Sequence, residues 1–421
     1  MPDQHVSNGD RTNGTHTNGD VEQDGAGREY DGNPKSFRVR MAAIIENFSF
    51  LWFTLSMDTG ILSILMHQLP YQFRGLCVLS TIMFVFNVVL FVIFFAILML
   101  RAILYPKALV QSVTSDITEC ATMSTPVIAW FTITAQIGLT VSQASWGGHA
   151  WFLVAYVFWW IGTFFTIAIA VAVFAIISKH DMANAESITP ALVVPFVATA
   201  TDAVTGALIV TYSHGVTARL AVPVIIVSYM LVGIGVLAAE VVYAVYLVRL
   251  LNGGMPPAAQ RPSLILLVGP LGQSSAALQG LGSAASSYFG SYGKGTFLTA
   301  SAGSICATVG VLLGLQFAGM AVFLLAFGAY AVLDGAIQRQ HKYSLLWWST
   351  IFPIGTLTTA FVEFSTTMDS PAFKVLSAIF LVFMLLVYFI NWAFTLRDIF
   401  QGKLLNGSRS DEPASDRVKR Q

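Results

Sequence analysis

From Ala121 to Ser178 the chain carries no Asp, Glu, Lys or Arg. A bilayer core needs about 20 mostly apolar residues per crossing helix, and this run supplies two such lengths. The segment Ser145-Trp-Gly-Gly-His149 offers the turn that separates them. In lipid every backbone N–H and C=O must be bonded internally, so segments of this length read as helices. Only 10% of all residues are charged and 55% are hydrophobic, and mean hydropathy is +0.70. The expected fold class is therefore an all-α integral membrane protein.

Ten spans are predicted, at 48–69, 76–103, 121–142, 149–177, 190–212, 220–250, 263–284, 308–335, 345–367 and 373–396. The Gly-, Ser- and Ala-rich stretch before the eighth is expected to be a surface or re-entrant segment. Residues 1–44 are polar and rich in Gly, Asn and Asp, which reads as a disordered cytoplasmic tail, and 401–421 reads the same way. Between them, 45–400 is expected to form one ten-helix transmembrane domain. One set of loops holds Arg101, Lys107, Lys179, Arg249, Arg261, Arg339 and Lys342, and the other holds only Arg74, Arg219, Lys294 and Lys374. The positive-inside rule then places both termini in the cytoplasm, in a membrane expected to be the plasma membrane, and leaves the sequons at Asn13, Asn47 and Asn406 unglycosylated.

The formal net charge is zero, which gives no basis for nucleic-acid binding. Cys77, Cys120 and Cys306 lie far apart with no metal-ligand spacing. No metal or cofactor is expected. The histidines stand singly at span ends, with no clustered nucleophile and base, so an enzyme is not the expected class.

Alternate spans carry breaks. Pro126, Pro195, Pro270 and Pro353 fall on the third, fifth, seventh and ninth spans, roughly every 70–80 residues. The first span has Gly60 in the corresponding place. Such breaks are expected near mid-span, making pore kinks at Gly60, Pro126, Pro195, Pro270, Pro353 and Gly355. A repeat of two helices implies five helical hairpins, the kinked odd helices forming an inner ring around a central pore and the straighter even helices an outer one. In Trp347-Trp-Ser-Thr-Ile-Phe352-Pro353-Ile-Gly355 a large aromatic residue precedes the bend, a position suited to blocking or opening a passage.

No span core contains Lys or Arg. The odd spans instead supply hydroxyls and amides, and Thr59, Thr125, Thr199, Gln273, Ser274 and Thr356 are the expected anion path. Neutral donors bind an anion weakly enough to release it, although hydroxyls in membrane helices also bond their own preceding carbonyls. Asp58, Asp202 and Glu363 lie on odd spans, where carboxyl groups are costly and face protein or water. A neutral acid there can donate to an anion and carry a proton with it, so Asp58, with Glu363, is the candidate for proton coupling. Glu240 and the Gly310-Val-Leu-Leu-Gly314 motif read as structural, the latter as close packing within the subunit.

Four segments resemble the tellurite-resistance/dicarboxylate transporter family. They are Trp52 to Ser63, His67-Gln-Leu-Pro-Tyr71, Leu266-Leu-Val-Gly-Pro270-Leu-Gly-Gln273 and Trp347 to Thr356. That family includes bacterial tellurite-resistance proteins, plant slow anion channels, fungal malate permeases and fungal sulfite efflux pumps, and the likeness is strongest to the fungal branch. The resemblance implies ten helices in five hairpins, a homotrimer with one pore per subunit, and an aromatic gate at the position of Phe352. Asp58 stands where relatives commonly carry a small residue, and Pro126 is followed by Val-Ile-Ala where relatives often have Pro-x-Gly. The expected function is transport of a small anion across the bilayer, a malate-like C4-dicarboxylate first and sulfite efflux as the alternative.

Overall fold

The computed structural model describes residues 34–182 and 188–402. The described residues contain helices and no strand. The ten spans run Phe50–Gln68, Leu76–Leu104, Ile117–Val141, Gly148–Lys179, Pro190–Tyr212, Ala218–Gly253, Ala258–Tyr292, Ala300–Ile337, Leu345–Thr367 and Pro371–Phe400.

Odd and even spans differ in composition and in burial. The hydrophobic windows of the odd spans have mean hydropathies between 1.2 and 1.8, and those of the even spans between 2.2 and 3.0. The odd windows are 78% to 100% buried, whereas no even window exceeds 50%. A helix that meets only protein can carry hydroxyls and amides, because neighbouring helices satisfy them; a helix facing lipid cannot. The odd helices touch in the cyclic order first, third, fifth, seventh, ninth and back to first. Each even helix packs against the odd helix before it. These are the five hairpins, wrapped as two concentric rings.

The breaks lie nearer one end of the inner helices than the expected mid-span. In four of the five, a tight 3-10 turn leads into the α-helix: Phe50–Trp52, Pro190–Val193, Ala258–Leu267 and Leu345–Thr350. The third span enters through a short helix, Ile117–Thr122, before Thr125–Gln136. Pro126, Pro195, Pro270 and Pro353 all sit in the first turn of the α-helix that follows. There the missing N–H has no intrahelical partner to lose, and the fixed φ suits the helix.

Gly60 is not a break at all, because Phe53–Gln68 is one continuous helix. A Cβ on Gly60 would fall 2.1 Å from Thr132 Oγ1 and 2.6 Å from Asn87 Nδ2. Its role is to let the first and third spans touch. Gly355 does the same for the ninth span, where a Cβ would meet Ile61 Cγ1 at 2.7 Å.

The expected re-entrant segment before the eighth span is also replaced. The seventh span continues to Tyr292 and the eighth starts at Ala300. The small residues that suggested a loop let the two backbones approach: a Cβ on Gly303 would lie 2.4 Å from Ala285 O, and one on Gly310 would lie 2.3 Å from Leu278 O. Gly310 thus packs within the chain.

Two further helices lie outside the spans. Pro34–Glu46 is helical, which corrects the expected disorder of residues 34–44; residues 1–33 and 403–421 lie outside the described residues. Pro106–Ser115 joins the second and third spans. Arg101 secures this corner. Its guanidinium donates to Glu46 O at 2.9 Å, Phe48 O at 2.7 Å and Ser112 Oγ at 2.9 Å, and pairs with Glu119 at 3.4 Å. A buried charge needs this degree of satisfaction to be tolerated.

Candidate functional site

All five inner helices contribute to one cavity at the ring centre. Its wall includes Ile61 and Ile64 of the first span, Thr132 and Ala135 of the third, and Thr201 and Thr205 of the fifth. Gln273 comes from the seventh, and Phe352 and Thr359 from the ninth. The space open to the centre of a water-sized sphere is about 10 Å³, room for about one water. Phe352 is fully buried and forms part of this wall.

The lining hydroxyls have already used their protons. Thr132 donates to Ala129 O at 2.7 Å, Thr201 to Val197 O at 2.7 Å, Thr205 to Thr201 O at 2.8 Å and Thr359 to Gly355 O at 3.0 Å. Thr132 also accepts from Asn87 Nδ2 at 2.9 Å, and Asn87 Oδ1 accepts from Ser56 at 2.6 Å. An amide on the second span thereby fixes a hydroxyl at the pore wall. Gln273 differs. It is 2% exposed, and its Oε1 has no hydrogen-bond partner. Among the described residues, its amide is the polar group on this wall that no neighbour engages.

The other residues expected on the path lie elsewhere. Thr59 bonds Leu55 O at 2.6 Å and Tyr388 of the tenth span at 2.8 Å. Thr125 bonds Phe50 O at 2.7 Å and Thr122 O at 2.9 Å, tying the third span to the first. Thr199 bonds Phe196 O and Thr356 bonds Pro353 O, while Ser274 is buried without a partner. None of these five is in the cavity wall. Thr59 and Thr125 tie spans together, while Thr199 and Thr356 show the carbonyl-bonding habit of hydroxyls within their own helices.

Asp58 also stands back from the cavity. It is fully buried, neither oxygen has a hydrogen-bond partner, and the backbone amide of Phe352 faces its carboxyl electrostatically. Asp202 turns outward: Thr163 of the fourth span donates to its Oδ1 at 3.1 Å. Glu363 lines a second cavity of about 30 Å³ together with Thr211, Tyr212 and Ser283. The two cavities share Val204, Leu208 and Thr359 in their walls, so they adjoin.

Thr132, Thr205 and Asn87 are the contributors that the sequence reading missed. A lone amide in the most apolar of the spans, Leu76–Leu104 with mean hydropathy 3.0, was the signal available for Asn87. Nothing in the sequence separates Thr132 from its neighbour Thr134.

The model of the family described as SLAC1, voltage-dependent anion channel, matches residues 47–396. The sulfite efflux pump SSU1 of Arthroderma benhamiae is 30% identical over 353 residues, covering 84% of this chain and 91% of the relative. The pump of the same name from Trichophyton rubrum is 29% identical over the same shares. The malic acid transport protein of Schizosaccharomyces pombe is 23% identical over 380 residues, covering 89% of this chain and 84% of the relative.

Proposed function

Because the chain belongs to the SLAC1 family of anion channels and transporters, we propose that it exports a small inorganic oxyanion of the sulfite kind through the central cavity. The ring supplies the geometry: five inner helices, one narrow neutral cavity, no Lys or Arg in its wall, and one unengaged amide at Gln273. The N–H groups of the Gln273 amide are the donors the wall offers an anion, weak enough for it to leave again. The narrowness of the cavity and the 30% identity to a sulfite pump favour the small oxyanion. The malic acid transport relative, matched over 89% of this chain, supports the second reading, a C4-dicarboxylate.

Phe352 is the gate in this reading. Its side chain closes the cavity, and passage requires it to move. Asp58 links protons to that movement through the Phe352 backbone, since it does not reach the cavity itself. Gln273 is the first contact of the dehydrated anion. The chain works as a multi-pass protein of the plasma membrane with both termini cytoplasmic and polar tails at 1–33 and 403–421. It assembles as a homotrimer with a pore in each subunit.

The test is uptake into liposomes holding the purified protein, with malate, succinate, sulfite, nitrate and chloride, each with and without a proton gradient. Sulfite flux well above malate flux is expected. Malate flux above sulfite flux would select the second reading, and no flux of any anion would end both.

A further inference from the structure

The second cavity adjoins the first through Val204, Leu208 and Thr359, and Glu363 lines it. Glu363 and the Tyr212 phenol are its ionisable lining groups. No Lys, Arg or His lines either cavity. Of the basic residues at that end of the inner helices, Lys374 pairs with Asp369, while Arg74, Arg219 and Lys294 lie in loops or at a span start. The threonine hydroxyls Thr201, Thr205 and Thr359 are committed to their own helices. The path therefore offers an anion little compensation, and one carboxyl group that repels it when ionised.

We propose that Glu363 makes the path a valence filter, which passes small monovalent oxyanions and rejects divalent ones. The proposal rests on the reading of the path given above and adds the charge state of what crosses it. The cost of taking an ion out of water rises with the square of its charge, and the repulsion from Glu363 rises in proportion to it. At an effective dielectric constant of about 20 and a separation of several ångströms, one extra negative charge beside a carboxylate lowers occupancy by about 10- to 100-fold. Sulfite near neutral pH is a mixture of monoanion and dianion, and the filter selects hydrogensulfite. A narrow path with a fixed cation would have the opposite preference.

Nitrate and sulfate are suitable probes, since neither changes charge near neutral pH. Flux of each is measured into liposomes at one ionic strength and one alkaline pH, so that the Glu363 carboxyl is ionised. The wild-type protein is expected to favour nitrate strongly. Glu363→Gln should lower the nitrate-to-sulfate ratio by about tenfold or more, chiefly by raising sulfate flux. Ser283→Asp, which adds a second carboxylate to the same cavity, should raise the ratio. A ratio unmoved by Glu363→Gln in protein that still passes nitrate overturns the filter, as does a wild-type protein that passes sulfate as fast as nitrate. If Glu363→Gln does not fold, Ser283→Asp decides alone, and an unchanged ratio there overturns the proposal. A wild-type protein that passes no anion would instead remove the path itself.

Discussion

Asp58 and Phe352 meet back to front: the carboxyl on the first span faces the backbone amide of the residue whose side chain walls the cavity on the ninth. The acid lies behind the cavity wall. With both oxygens fully buried and only the Phe352 amide facing them, an ionised Asp58 would be a poorly compensated buried charge, and a neutral one is far less costly. In the proposed coupling, a change of its protonation acts on the position of Phe352 before it acts on any solute.

Asp58→Asn should separate the two effects. The amide matches the neutral acid in shape, so the protein should fold, with a melting temperature in detergent equal to wild type or a few degrees higher. Anion flux should persist while its response to a proton gradient disappears. If the gradient response survives in Asp58→Asn, proton coupling lies elsewhere.

Phe352→Ala opens the wall of a cavity that otherwise holds about one water. Basal anion flux without a gradient should rise several-fold. Truncating a fully buried Phe also costs about 3–5 kcal/mol of packing, so flux must be normalised to folded protein by gel filtration. Unchanged or lower flux per folded molecule would remove Phe352 as the gate.

Gln273→Leu tests the anion contact from the opposite side. The Gln273 amide makes no hydrogen bond that a leucine would forfeit, and Oε1 is buried without a partner. Replacing an unsatisfied buried polar group by an apolar one of similar size is about neutral or stabilising. Melting temperature should therefore hold or rise while anion flux falls several-fold. A loss of stability would show instead that the amide braces the ring.

The two-ring arrangement was legible because lipid imposes it on composition. A period of two helices, with prolines on Pro126, Pro195, Pro270 and Pro353, indicated which spans lie inside, and the lower hydropathy of the odd spans carries the same message. The lumen-facing side of each inner helix was not legible. The window of Pro190–Tyr212 is wholly buried, so it has no polar stripe to separate pore from packing. Thr199 and Thr201 look alike in sequence, yet Thr199 packs against Gly235 of the sixth span while Thr201 reaches the cavity. The prolines marked the right helices and lie at the breaks, but the breaks fall nearer one end of each helix than mid-span. Gly60 and the Gly-rich start of the eighth span misled for a related reason. Glycine signals either a bend or a close approach, and here the partner helix decides which.

A pair of glycine substitutions gives the sharpest check on that close packing. In Gly60→Ala the new methyl would sit 2.1 Å from Thr132 Oγ1, 2.4 Å from Thr132 Cβ and 2.6 Å from Asn87 Nδ2. The first and third spans would have to part, and the Asn87–Thr132 hydrogen bond would be strained or lost. Overpacking of this kind costs about 1–3 kcal/mol or more, and it also displaces a threonine of the cavity wall. Gly319 is the control, for a Cβ there meets nothing within 4 Å. Gly319→Ala should be neutral or stabilising by about 0.5–1 kcal/mol, as expected for Ala replacing Gly inside a helix. Thermal unfolding in detergent should lower the melting temperature for Gly60→Ala and leave or raise it for Gly319→Ala. Equal melting temperatures for the two variants would mean that the first and third spans do not touch at Gly60.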